Sequence, residues 1–385
     1  MRRARDLRVA RVSGLVLSVG WTGSAFAGHP PLPTPCVVSG ACGPSVQSFI
    51  QYGAAGAVAS GNTLTVTQTS SKAILNWADF NIASGFSVNF VQPSATSAVL
   101  NKIWSADPSV IAGRLNANGQ VYLYNQNGII FDKGAQIDVG SLTASTLPFA
   151  PVPNSQDPDA LFKNGILSGS TAGQPPNASF VAPQNGSAGA ITVNSGATLA
   201  AADGGRIMLL GSAVTNNGSI STPDGQAILG AASKAVYLVA SSSPDMRGLL
   251  IQVDGGGVTG TVINGGQITA PRGNITLAGL IVNQEGLLSA TTSVSANGSI
   301  YLVAGDTSAG GTFYNPNPTD PSGKQTAFGG LLPNKGGKLL LAPGSVTEIL
   351  PDETDTATLT VPQQAGFAPS QVDLAGQVVE LQGNA

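Results

Sequence analysis

The sequence predicts an all-β chain wound as a β-solenoid. Three observations point there. The composition is poor in helix formers, with only four Glu among 385 residues, and rich in turn formers, with 50 Gly and 25 Pro. Short apolar alternations follow one another too densely for a sandwich. Similar segments also return along the chain. The hydrophobic fraction of 42% is too high for a mostly disordered chain. With 10% charged residues and few Lys or Arg, the chain lacks the basic patch that nucleic-acid binding requires.

Residues 1–27 read as a signal peptide. Arg2, Arg3, Arg5, Arg8 and Arg11 form a basic start, Leu15 to Trp21 is apolar but too short to span a bilayer, and Ala25-Phe26-Ala27 offers a cleavage site after Ala27. No later segment is apolar for long enough to cross a membrane. Removing the signal leaves 12 basic against 19 acidic residues, a net charge of −7. Cys36 and Cys42, six positions apart in an exported chain, read as one small disulfide loop rather than a nucleophile or metal site.

From about Leu64 short strands dominate. Val121/Leu123, Ile129/Phe131 and Ile137/Val139 each place two apolar residues on one face of a strand, and Asn127-Gly128 and Lys133-Gly134 supply the turns between them. Two or three strands in under twenty positions suit one coil of a solenoid. Residues 148–189 are rich in Pro, Asn, Ser and Gly and read as a loop protruding from the coils at 147–305, with one helical turn near Asp159 to Lys163. Asn216, Gly218, Ile220, Pro223, Gly225 and Leu229 recur 48 residues later, with weaker copies from Gly196 and Gly286. The copies set an expected period of 20 to 24 residues. A dozen or so such coils, stacked roughly 4.8 Å apart, would make a rod about 60 Å long. Residues 306–337 read as a second loop insertion. Strands resume over 338–385 and are still running where the sequence stops, as expected of a fragment or of the start of something longer.

The most specific stretch lies between Asn76 and Thr146. Asn76-Trp77-Ala78-Asp79-Phe80-Asn81-Ile82 is followed by Val88-Asn89-Phe90, then Gln92-Pro93-Ser94, Leu100-Asn101 and Asp107-Pro108-Ser109. Asn125-Gln126-Asn127-Gly128-Ile129, Phe131, Gly134-Ala135 and Leu142-Thr143-Ala144-Ser145-Thr146 complete the run. In order and spacing this resembles the two-partner secretion domain that begins filamentous-haemagglutinin-type exoproteins, closely over about 110 residues. The resemblance implies a right-handed parallel β-helix with an N-terminal cap, residues 28–146 forming the cap and core. It also implies export by the general secretion route, then passage through an outer-membrane β-barrel transporter whose periplasmic docking domains read the N-terminal region. The product would be a secreted, cell-surface or extracellular adhesin, with no cofactor and no catalytic or metal site. The family's Asn-Pro-Asn-Gly-Ile stands here with Gln126 in the proline's place, which removes a fixed φ and weakens pre-organisation of the turn.

The transporter-recognition candidates are therefore Asn125, Gln126, Asn127, Gly128 and Ile129, with Asn76 and Asn81. Each has a plainer reading beside it. The five-residue turn can serve stability alone, its Asn side chains capping backbone groups, and Asn76 and Asn81 can be buried amides bonded to neighbouring coils. Trp77, Phe80 and Phe90 read as core or cap aromatics. A polysaccharide-active β-helix enzyme is the alternative from a different class, and it needs clustered acids in one groove. The densest group, Asp352-Glu353-Thr354-Asp355, reads as a solvated turn rather than a Ca²⁺ loop, and Asp157 and Asp159 likewise as solvated. A third reading is the delivery stem of a larger contact-dependent toxin. Asn177, Asn274 and Asn297 begin Asn-x-Ser/Thr triplets.

Overall fold

In the computed structural model the described residues are 30–37, 42–43, 46, 48–167, 177–240, 248–255, 260–293, 296–309, 331–334, 336–356, 358 and 370–385. The predicted signal peptide lies outside them. Three faces of parallel strands wind around one apolar interior, making a parallel β-helix. Among the described residues, the first face stacks nine rungs from Thr63–Gln68 to Val346–Pro351. The second stacks nine from Lys72–Asp79 to Val372–Ala375. The third is an eight-stranded sheet from Ser109–Ile111 to Val378–Leu381. Nine rungs at the spacing of paired strands span about 38 Å, shorter than a dozen coils would give.

Alternation dictates the interior. On the first face Leu64, Val88, Leu115, Ile137, Leu199, Ile220, Ile268 and Leu288 sit in register, one rung above another, all buried. Ile129, Ile191, Val214, Val262, Val282 and Leu339 do the same on the third face. Each such side chain contributes about 1.5–3 kcal/mol relative to exposure. At Asn216, Asn264 and Gln284 the third face turns polar, and these buried amides bond to one another. Asn216 Nδ2 donates to Asn264 Oδ1 at 2.8 Å, and Asn264 Nδ2 donates to Gln284 Oε1 at 2.8 Å. At the corner between the first and second faces glycines stack in a column through Gly119, Gly140, Gly205, Gly225, Gly273 and Gly298. A Cβ on any of the last five would meet the carbonyl oxygen of the glycine one rung earlier.

The register corrects the expected period. Partners on the third face are 20 residues apart from Ser109 to Ile129 and from Val262 to Val282, and 23 from Ile191 to Val214. They are 62 apart from Ile129 to Ile191, 48 from Val214 to Val262, 57 from Val282 to Leu339 and 40 from Leu339 to Val379. The 48-residue recurrence is thus one coil, not two. Its extra length is an antiparallel hairpin, Ala235–Ala240 with Leu249–Asp254, lying outside the helix on a small core of its own. The loop expected at 148–189 is likewise an ordered excursion. It carries a short helix, Ala160–Asn164, and a strand, Phe180–Val181, that joins the hairpin's sheet. At the second insertion Asp306–Ala309 pairs antiparallel with Leu331–Asn334. All three excursions leave the corner between the second and third faces.

Antiparallel strands close the N-terminal end. Thr34–Pro35 and Ile50–Tyr52 pair with Lys72–Asp79, and Ala55–Ser60 forms a hairpin with Thr63–Gln68. Cys36 and Cys42 are joined in a disulfide, and the Cys36 N–H donates to the Asn76 carbonyl at 3.0 Å. Trp77 is fully buried beneath this cap, edge-on to Phe49 and Phe80 at 4.8 and 5.4 Å between ring centres. Its indole Nε1 donates to Asn101 Oδ1 at 2.9 Å, and Asn101 is itself fully buried. Trp77→Phe keeps an aromatic ring but orphans that oxygen, so a loss of about 1–3 kcal/mol is expected in a denaturant titration.

The acidic turn at Asp352 is held rather than merely solvated. Arg272 reaches Asp224 at 2.5 Å and Asp352 at 2.7 Å, tying three rungs together, and Thr354 Oγ1 donates to Asp352 at 2.6 Å. The Thr354 hydroxyl and then Arg272 hold the Asp352 carboxyl below its ordinary 3.8. A depressed carboxylate stabilises the fold above its unfolded value and loses that contribution as pH falls through the lower folded value. The difference between native protein and Asp352→Asn in a circular dichroism acid titration should therefore persist down to pH 3.8 and vanish only below it.

Candidate functional site

The five-residue turn sits where the second face hands the chain to the third. Asn125 follows the strand Arg114–Tyr124, and Ile129 opens the strand Ile129–Phe131. The Gly128 N–H donates to the Asn125 carbonyl at 3.2 Å, and Asn125 Oδ1 accepts from the Asn127 N–H at 2.9 Å, so the asparagine's own side chain shapes the turn. Gly128 has φ +125°, a left-handed conformation that favours glycine. Ile129 is fully buried, in register with Ser109 below and Ile191 above.

The asparagines lock coil to coil. Asn125 is fully buried, and its Nδ2 donates to the Asp107 carbonyl at 3.1 Å and to Ser109 Oγ at 3.0 Å. Asn81, on the other side of that same strand, accepts from the Val110 N–H at 2.8 Å. Asn76 lies closer to the cap, accepting from Trp104 Nε1 at 3.0 Å and donating to the Ser48 carbonyl at 3.0 Å. The structure thus brings Asn81 and Asn125 to one corner and sets Asn76 apart. Of the seven candidates only Asn127 is exposed and only Gln126 half-buried; the other five are buried. Asn127 Nδ2 donates to the Ser105 carbonyl at 2.8 Å. Gln126, which lacks proline's fixed φ, instead ties the turn outward, its Nε2 donating to the Asn185 carbonyl.

That contact joins the turn to the excursion, whose packing the sequence reading did not anticipate. Phe162 of the short helix is buried against Ile74, Leu100 and Tyr122 on the outer side of the second face. Asp159, expected to be solvated, is buried. Lys102 Nζ lies 3.1 Å from its carboxylate, and Gln51 Nε2 donates to the same group at 2.7 Å. Lys72 Nζ donates to the Phe162 and Lys163 carbonyls at 2.9 and 2.8 Å, at the end of the helix where a cation is favoured. Burial pushes the Lys72 ammonium below its ordinary value. Of the Asn-x-Ser/Thr residues, Asn274 and Asn297 are buried, whereas Asn177 is exposed. Among the described residues no three His, Cys, Asp or Glu side chains gather as a metal site.

The family model for the TPS secretion domain matches residues 47–315. A heme/hemopexin-binding protein of Haemophilus influenzae (strain ATCC 51907 / DSM 11121 / KW20 / Rd) is 33% identical over 135 residues, 35% of this chain and 14% of that protein. Another heme/hemopexin-binding protein of Haemophilus influenzae is 41% identical over 83 residues, 22% of this chain and 9% of that protein. The crystal structure of the HMW1 secretion domain from Haemophilus influenzae superposes with a TM-score of 0.55 at 22% identity, covering 87% of this chain and 83% of that one. The chain therefore shares the fold of that domain and spans a small part of the length of the two heme/hemopexin-binding proteins.

Proposed function

The chain belongs to the TPS secretion domain family, and from that premise we propose that its N-terminal coils hand a secreted exoprotein to an outer-membrane β-barrel transporter. The family match across 47–315, most of the β-helix, is the observation that carries this reading. The transporter's periplasmic docking domains read the cap and the turn at Asn127, and the product acts as an adhesin at the cell surface or outside the cell. The N-terminal hairpin offers a way to dock. Strand Ala55–Ser60 pairs on one side only among the described residues, leaving an edge to which a partner can add a strand.

The protein works by binding and not by catalysis. A glycan-cleaving site needs two carboxylates facing one groove. Among the described residues, the buried Asp159 and Asp254 outside the helix are instead held by cations, Asp159 by Lys102 and Asp254 by Lys234. Heme binding does not carry over from the two relatives, because the matched segments are 14% and 9% of their lengths.

The test is a secretion assay. The chain is expressed in a Gram-negative host with and without a cognate outer-membrane barrel transporter, and culture medium and periplasm are probed for it. Appearance in the medium only with the transporter, lost on deleting residues 28–146, is the expected result. Release without the transporter, or release that survives the deletion, overturns the reading.

A further inference from the structure

Between the outer side of the second face and the excursion after Ser145 lies a cleft of about 330 Å³, within the size range of small-molecule sites. Leu100, Trp104, Tyr122, Tyr124, Phe149 and Phe180 line it. The aromatic lining is rigidly held. Tyr122 packs edge-on against Phe162 at 5.4 Å between ring centres, Phe149 stacks on Phe180 at 4.8 Å, and the Trp104 indole is fixed by its bond to Asn76 while the residue stays 41% exposed. Such rings offer large apolar area at little cost in conformational entropy.

Two further facts narrow what fits. The charged residues lining the cleft are Lys102 and Asp159, and they neutralise each other at 3.1 Å, with Gln51 completing the carboxylate's bonds. A charged ligand would have to break that buried pair or lie uncompensated beside it, and either is costly. Tyr124, by contrast, has a half-buried side chain that takes part in no hydrogen bond among the described residues. Burial pushes its hydroxyl up to about 12, so it stays a neutral donor and acceptor throughout the physiological range.

We propose that this cleft is a binding site for an uncharged, largely aromatic small molecule carrying one hydrogen-bonding group, which meets the Tyr124 hydroxyl. Nothing in the assigned secretion role requires such a site, and the proposal stands or falls apart from it.

The experiment titrates the purified full chain with N-phenyl-1-naphthylamine, an uncharged fluorophore that brightens in apolar surroundings, and displaces it with 2-naphthol, naphthalene or hemin. Saturable brightening is expected. Ala182→Trp sets an indole at a residue lining the cleft and should weaken binding at least tenfold, with the circular dichroism spectrum unchanged. Tyr124→Phe, which alters no packing, should weaken 2-naphthol by about 2- to 10-fold, the range for one net hydrogen bond, and leave naphthalene unaffected. Absence of brightening overturns the proposal, as does unaltered affinity in Ala182→Trp or equal effects of Tyr124→Phe on the two naphthalenes. Displacement by hemin, which carries two ionised propionates, more tightly than by 2-naphthol overturns the uncharged class.

Discussion

Gly225→Ala destabilises the rod by about 3 kcal/mol or more, the upper range of overpacking. The added Cβ would overlap the Gly205 carbonyl oxygen, a backbone atom that cannot rotate away. That oxygen also accepts from the Gln226 N–H at 3.1 Å, so relieving the overlap breaks a bond that holds the rung in place. The disturbance propagates upward, because the Gly225 carbonyl accepts in turn from the Asn274 N–H at 2.9 Å. Gly56→Ala is the matched control. Gly56 has open space around its Cβ position and should change stability by less than about 0.5 kcal/mol. Thermal melts of the two variants check the pair; equal midpoints would show that the column tolerates a methyl group.

Asn125→Ala and Asn127→Ala separate sharply, although they are two residues apart. Asn125 loses its bonds to the Asp107 carbonyl, Ser109 Oγ and the Asn127 N–H, leaving the Ser109 hydroxyl unpaired inside the corner and the other two groups unpaired at its part-buried edge. A cost of about 2–4 kcal/mol follows, since each orphaned buried group forfeits about 1–3 kcal/mol and neighbours relax in part. Any export defect in this variant therefore reports folding first. Asn127 is exposed with one bond to the Ser105 carbonyl, and its replacement should shift stability by less than about 0.5 kcal/mol. Asn127→Ala is thus the variant that probes recognition. Its export through the transporter should fall several-fold with the melting midpoint unchanged, and undiminished export would remove Asn127 from the recognised surface.

The fold was legible where inward residues alternate without interruption. Val121/Leu123, Ile129/Phe131 and Ile137/Val139 each read as a rung, and all six are buried. The hairpin Ala235–Ala240 with Leu249–Asp254 was not, because a strand outside the helix has the same period of two as a strand within it. Only pairing shows that Asn216 and Asn264 are neighbours and not two coils apart. The candidate turn was legible as a motif, but which of its members face solvent was not. Asn125 and Asn127 are the same residue type, and their opposite burial is set by Ser109 and Asp107 in the preceding rung. The cleft left no trace in local sequence, since Phe180 comes to line one cavity with Trp104 and Tyr124 only when the excursion folds back.

The short coils have a mechanical consequence. A coil such as that from Val262 to Val282 completes itself with 20 residues and needs only the coil beneath it as a template. Stability of about 0.1 kcal/mol per residue makes this about 2 kcal/mol per coil. Those residues fully extended span about 70 Å. A chain that winds up on the far side of a pore as it emerges is thus drawn forward by a mean force of about 2 pN, in steps of one coil, with no nucleotide consumed.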